Sequence, residues 1–124
     1  MLTEAKRPAT AQRRRDLFLE ASAIIDAEYD LRVALDDVAR RVATSRRQLQ
    51  RAFAEAGETS FRAYLQRVRM EHAAELLRNG STPVSTVAAA VGYRQAAQFA
   101  KAFRRHHGAP PSSFRGTVQE RLAA

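Results

Sequence analysis

A chain of 124 residues with 45% hydrophobic content is the size of one ordinary domain, or of two very small ones, and can bury a core. It has no cysteine, which excludes a disulfide scaffold and cysteine-ligated metal, and no apolar run nears the ~18 residues of a membrane span. Lys and Arg number 21 against 13 Asp and Glu, a net charge of +8 that points to polyanionic partners.

The chain opens MLTEAKRPATAQRRR, basic but without a following apolar stretch, so it does not read as a signal peptide. The expected location is the cytoplasm, on the nucleoid. Residues 1–9 read as a flexible arm. Thr10 can cap a helix reaching Tyr29, with Leu17, Ala21, Ile24, Ile25 and Tyr29 at core-facing spacing. A brief helix over 35–42 turns Leu35, Val38, Ala39 and Val42 inward. After the turn Ala43-Thr44-Ser45, Ser45 caps a helix from Arg46 to Ala56 that buries Leu49, Ala52 and Phe53. Gly57 reads as its left-handed closing residue.

Thr59 or Ser60 then caps the longest helix, reaching Arg78, whose stripe is Phe61, Tyr64, Leu65, Val68, Ala73, Leu76 and Leu77. Asn79-Gly80 ends it. A short helix over 84–91, the turn Gly92-Tyr93 and a last helix over 95–106 follow, with Phe99, Ala102 and Phe103 inward. Gly108 and Pro110-Pro111 stop the chain's last helix, and no segment alternates like a strand. The pattern predicts an all-α fold of about seven helices, two helix-turn-helix subdomains joined by a long central helix. Their expected limits are 10–58 and 80–116, with the connector at 59–79 and a tail at 117–124.

The two subdomains are one pattern written twice. LDDVARRVATSRRQLQRAFAEAG (35–57) parallels VSTVAAAVGYRQAAQFAKAFRRHHG (84–108). Leu35, Val38, Ala39 and Val42 match Val84, Val87, Ala88 and Val91, while Leu49, Arg51 and Phe53 match Phe99, Lys101 and Phe103. The second copy carries one extra residue in its turn and another before its glycine. Ala39 and Ala88 permit close helix crossing. The connector, ~28 Å long at helical rise, is comparable to the ~34 Å between successive major-groove faces.

Charge follows the same division. Acidic residues crowd the first third, whereas none occurs in 76–119 or in 38–54. The cations are almost all arginine, only Lys6 and Lys101 being lysine, and a guanidinium suits phosphates and guanine edges.

These residues resemble the DNA-binding domain of the AraC/XylS family of bacterial transcription regulators. The resemblance rests on Ala39, Ser45, Arg47, Leu49, Arg51, Phe53, Gly57, Ser60-Phe61, Tyr64-Leu65, Arg69-Met70, Ala73 and Leu76-Leu77. In the second half it rests on Val87-Ala88, Val91-Gly92-Tyr93, Phe99, Phe103, Gly108, Pro111 and Phe114-Arg115. It covers about 17–115. It implies recognition helices near 46–56 and 95–106, binding to asymmetric promoter sites, and activation through contact with RNA polymerase. Family members usually carry a separate sensing or dimerising domain, for which this length leaves no room. The expectation is the single-domain form, with the DNA-binding fragment of a larger ligand-sensing regulator as the alternative. Where the second recognition helix of the family starts with an acidic residue and a serine, this chain has Gln95 and Ala97.

Arg47, Gln50 and Arg51 are the expected base-edge readers of the first unit, and Gln95, Gln98 and Lys101 those of the second. Ser45, Arg46, Arg94, Arg104 and Arg105 are expected on phosphates. Arg69, set among core positions, reads as structural. His72, His106 and His107 lack ligand spacing, and no serine sits in a nucleophile elbow, so neither a metal, a cofactor nor an enzyme is expected. The expected partner is double-stranded DNA bound by a monomer, with no membrane. A basic protein-interaction module remains the alternative from another class.

Overall fold

The computed structural model describes residues 2–115, with side chains from Ala9 onward. Among these residues it is all-α, without strands. The helices are α1 (Leu2–Glu28), α2 (Leu35–Arg41), α3 (Arg46–Ala56), α4 (Phe61–Asn79), α5 (Val84–Ala90) and α6 (Ala96–His107), closed by a 3-10 turn over Pro111–Arg115. Helical backbone runs through 2–9, where an arm was expected, and Thr10 lies inside α1 instead of capping it. Leu2, Glu4, Ala5, Lys6, Arg7 and Ala9 are strong helix formers, whereas Thr3 and Pro8 are not. The tail expected at 117–124 lies outside the described residues.

The chain divides into two compact units. One takes the described residues up to Glu28 with Arg32–Leu65, the other Tyr29–Leu31 with those from Gln66. The division falls inside α4, so the helix read from sequence as a separate connector supplies core residues to both. Tyr29, expected as the last core residue of the first helix, belongs to the second unit.

In the first unit α1 packs along α3, and α2 rests on both. Leu17, Ala21 and Ile25 of α1, Val38 and Ala39 of α2, Leu49, Ala52 and Phe53 of α3, and Phe61 and Leu65 of α4 are all buried. Phe53 is the hub. It meets the rings of Phe18, Phe61 and Tyr64 edge-on, with centroids at 5.0, 5.6 and 5.8 Å. Tyr64 also donates its hydroxyl to Asp26 at 2.9 Å, fastening the start of α4 to α1.

Phe18 also explains Gly57. The glycine has φ −97°, not the left-handed conformation expected of a helix stop, and the positive φ falls on Glu58 at 53°. A Cβ on Gly57 would collide with the Phe18 ring. Close approach requires the glycine here, not backbone handedness.

In the second unit Met70, Ala73, Ala74 and Leu77 of α4 pack with Val87, Ala88, Val91, Phe99 and Phe103. Met70, Ala73, Ala74 and Leu77 follow the i, i+3, i+4, i+7 pattern, which leaves Leu76 off the stripe at 42% exposure. Arg69 is structural, as its position implied. Its Nε donates to the Tyr29 carbonyl at 2.7 Å and an Nη to that of Leu31 at 2.9 Å. Burial lowers its pKa from the usual guanidinium value.

The two helix-turn-helix turns repeat bond for bond. Val42, Ala43 and Thr44 donate their N–H groups to Val38, Arg40 and Ala39; Val91, Gly92 and Tyr93 donate to Val87, Ala89 and Ala88. The left-handed turn position holds Ala43 in one copy (φ 55°) and Gly92 in the other (φ 97°). A left-handed alanine costs about 1–2 kcal/mol, against about 0.5–1 kcal/mol for the greater freedom that glycine loses on folding. Ala43→Gly is therefore expected to stabilise the chain by up to about 1 kcal/mol in chemical denaturation. Gly92→Ala is expected to do the reverse. Its Cβ would stand 3.2 Å from the Arg69 guanidinium, which two carbonyls hold in place. A loss of about 1–3 kcal/mol is expected from the same measurement.

Candidate nucleic-acid interface

The outward face of α3 follows from its inward one. Burying Leu49, Ala52 and Phe53 places Arg47, Gln50, Arg51 and Ala54, at i, i+3, i+4 and i+7, together on the exposed side. Ser45 is extended (φ −82°, ψ 157°), and its hydroxyl oxygen accepts the Gln48 N–H at 3.1 Å. That cap fixes where the helix starts, and hence which residues lead it. Ser45 is exposed, and its hydroxyl proton remains available to an acceptor.

Charge on this unit is sorted by pairing. Arg41 makes a two-pronged bond to Glu28 at 2.8 and 2.6 Å, which holds the Glu28 carboxyl below its ordinary pKa. Arg40 meets Asp37 at 3.1 Å, and Arg14 pairs with Glu55. Arg46 lies 3.6 Å from Asp36 with both side chains well exposed, a contact that water and salt readily open. Among the described residues Arg47 and Arg51 have no acidic partner within 4.0 Å, and Gln50 makes no side-chain hydrogen bond. The first unit thus pairs Arg14, Arg40 and Arg41 with carboxylates and leaves Arg47 and Arg51 on the exposed helix face without one, as it does Arg13, Arg15, Arg32 and Arg62 elsewhere among the described residues.

In the second unit α6 buries Phe99 and Phe103, so Gln98, Lys101 and Arg105 share one exposed face at i, i+3 and i+7. Arg94 and Arg104 are exposed beside it, and none of these four cations has an acidic partner among the described residues. Gln95 differs from expectation in one respect. It is the extended residue before α6 (φ −121°, ψ 124°), not its first helical residue, and its side chain caps nothing. Its amide is left uncommitted at the leading end of the helix. Gly108 closes α6 with φ 77°, and two hydrogen-bonded starts confirm the extra turn residue: Leu49 N–H to Ser45, and Phe99 N–H to Gln95.

Two clefts flank α3, and sequence periodicity reveals neither. One is lined by Leu35, Arg46, Gln50, Ser60, Phe61 and Arg62, where Ser60 caps α4 by accepting the Ala63 N–H at 3.0 Å. The other lies toward α1 and includes Arg13, Thr44 and Gln48. Arg62 and Gln48 had no role in the sequence reading. Gln48 lies on α3 itself, next to Arg47, whereas Arg62 comes from α4 and is set beside α3 by a tertiary contact. Among the described residues no group of three His, Asp or Glu side chains could hold a metal ion, and no helix is long and apolar enough to cross a membrane.

A family model described as a helix-turn-helix domain matches residues 38–117. The C-terminal domain of AraT, a response regulator from Geobacillus stearothermophilus, superposes with a TM-score of 0.78 at 30% identity, over 82% of this chain and 84% of that one. The chain belongs to the AraC family. These AraC-type domains are DNA-binding parts of transcription regulators, not enzymes. The DNA-binding domain of AdpA, solved in complex with a target DNA, matches with a TM-score of 0.77 at 25% identity, covering 84% of this chain and 94% of that one. The Msm operon regulatory protein of Streptococcus mutans is 30% identical over 96 residues, 77% of this chain and 34% of that protein. This AraC-type chain spans about a third of the length of such curated relatives.

Proposed function

We propose that this AraC-type chain recognises a promoter sequence by placing α3 in one major-groove segment and α6 in the next. The observation that carries the reading is the bare cationic face of each second helix. Arg47 and Arg51 on α3, and Lys101 and Arg105 on α6, stand exposed without acidic partners, while Arg14, Arg40 and Arg41 are paired off. In this reading Arg47 and Arg51 meet guanine edges, and Gln50, Gln95 and Gln98 meet adenine edges. Lys101 takes a base acceptor. Ser45, Arg46, Arg94, Arg104 and Arg105 bind phosphates and supply affinity that falls with salt. The chain acts on the nucleoid in the cytoplasm as a monomer, one unit per half-site, and activates by standing beside RNA polymerase.

Selection from a random duplex library, followed by footprinting of the purified chain at two salt concentrations, tests this. One monomer is expected to protect about two helical turns of an enriched sequence. Enrichment of no sequence, with binding that simply vanishes as salt rises, would overturn it and turn attention to an acidic protein partner.

A further inference from the structure

The cleft on the α1 side of α3 has no part in the reading above. Leu17, 3% exposed, forms its apolar floor, and Thr10, Arg13, Thr44 and Gln48 surround it. Arg14 also lines it but is committed to Glu55. Arg13 is different. It is exposed, and among the described residues no acid lies within 4.0 Å of it. Gln48 spends its backbone N–H on Ser45 and leaves its side-chain amide uncommitted. Thr44 belongs to the helix-turn-helix turn, and Gln48 follows Arg47 directly.

A cation, an amide and two hydroxyls around a shallow apolar recess match a sugar–phosphate unit, whose charged oxygens and apolar deoxyribose need those two surfaces. Size points the same way. A helix with its side chains is about 10–12 Å across and a major groove about 12 Å wide, so a helix reading the groove has a sugar–phosphate strand along each flank. On one flank of α3 stand Arg46 and Arg62, and on the other this cleft. Resting on the assignment of α3 as a recognition helix, we propose that the Arg13–Thr44–Gln48 cleft grips a backbone phosphate on the opposite wall of the groove read by Arg47. α1 is then a DNA-contacting element as well as the support of α3.

The test uses the full chain on its selected duplex, with Arg13→Ala and Arg13→Lys compared across a salt series and by phosphate-ethylation interference. Arg13→Ala is expected to weaken binding about three- to tenfold and to reduce the salt slope by about one, with base preferences unchanged. Arg13→Lys is expected to restore the slope, since a phosphate needs only the charge. Ethylation of one phosphate beside the α3 half-site is expected to impair the unsubstituted chain but not Arg13→Ala. An unchanged slope and an unchanged interference pattern in Arg13→Ala would overturn the proposal while leaving α3's role intact, provided Arg47→Ala still relaxes base preference. If Arg47→Ala leaves base preference untouched, the recognition assignment fails and the cleft proposal falls with it.

Discussion

Replacing Phe53 by alanine is expected to destabilise the first unit by about 3–5 kcal/mol, the range for emptying a fully buried aromatic site. Phe53 is wholly buried, and three aromatic rings from α1 and α4 lean on it edge-first. Such pairs add about 0.5–1.5 kcal/mol each beyond the area they bury. None of the three can follow the lost ring. Phe18 is seated against Gly57, Phe61 stands at the start of α4, and Tyr64 is bonded to Asp26. Chemical denaturation followed by circular dichroism measures the loss. A cost under about 1 kcal/mol would mean that the site collapses and that Phe53 is not the hub described. DNA affinity is expected to fall with stability, because α3 is held in place through this ring.

With Arg47 replaced by alanine, the fold is expected to persist and specificity to fail at one base pair. The side chain is exposed and unpaired, so its removal leaves no cavity and no orphaned acid. A good bidentate contact to guanine discriminates by about 1–3 kcal/mol, roughly 5- to 150-fold in affinity for the selected site. Lysine is not expected to rescue it, since an ammonium lacks the planar fork. Arg46→Ala should behave otherwise, weakening all sequences alike and lowering the salt slope. Titration against a panel of single-base site variants separates the two. A uniform loss from Arg47→Ala would make it a phosphate contact and shift the reading role to Gln50 and Arg51.

Much of this arrangement was legible in the residue pattern because the two copies check each other. Val38, Ala39 and Val42 recur as Val87, Ala88 and Val91, and the backbone bonds of the two turns recur with them. The extra residue in the second turn was visible as a gap of one between the copies. The exposed faces of α3 and α6 followed from the same periodicity, since fixing the buried positions fixes the outward ones. Uncommitted cations could not be read this way. Whether Arg41 or Arg47 is neutralised depends on which carboxylate lies near in space, and Glu28 is 13 positions away from Arg41.

The sequence by itself therefore determined the helices apart from the start of α1, their order, the doubled helix-turn-helix and the face each second helix presents, because these depend on spacing within a few residues. Only the tertiary structure decided what distant segments share. It gave Gly57 to the Phe18 ring instead of to a left-handed stop, assigned Tyr29 to the second unit, and left Leu76 exposed while Met70 and Ala74 took the core. It also set Arg13 of α1 beside Thr44 and Gln48 around the start of α3, some thirty positions away in sequence. The physical reason is common to all of these. Local periodicity says which side of a helix is buried, but which partner it meets depends on how whole helices cross, and that is settled by the packing of every buried side chain at once.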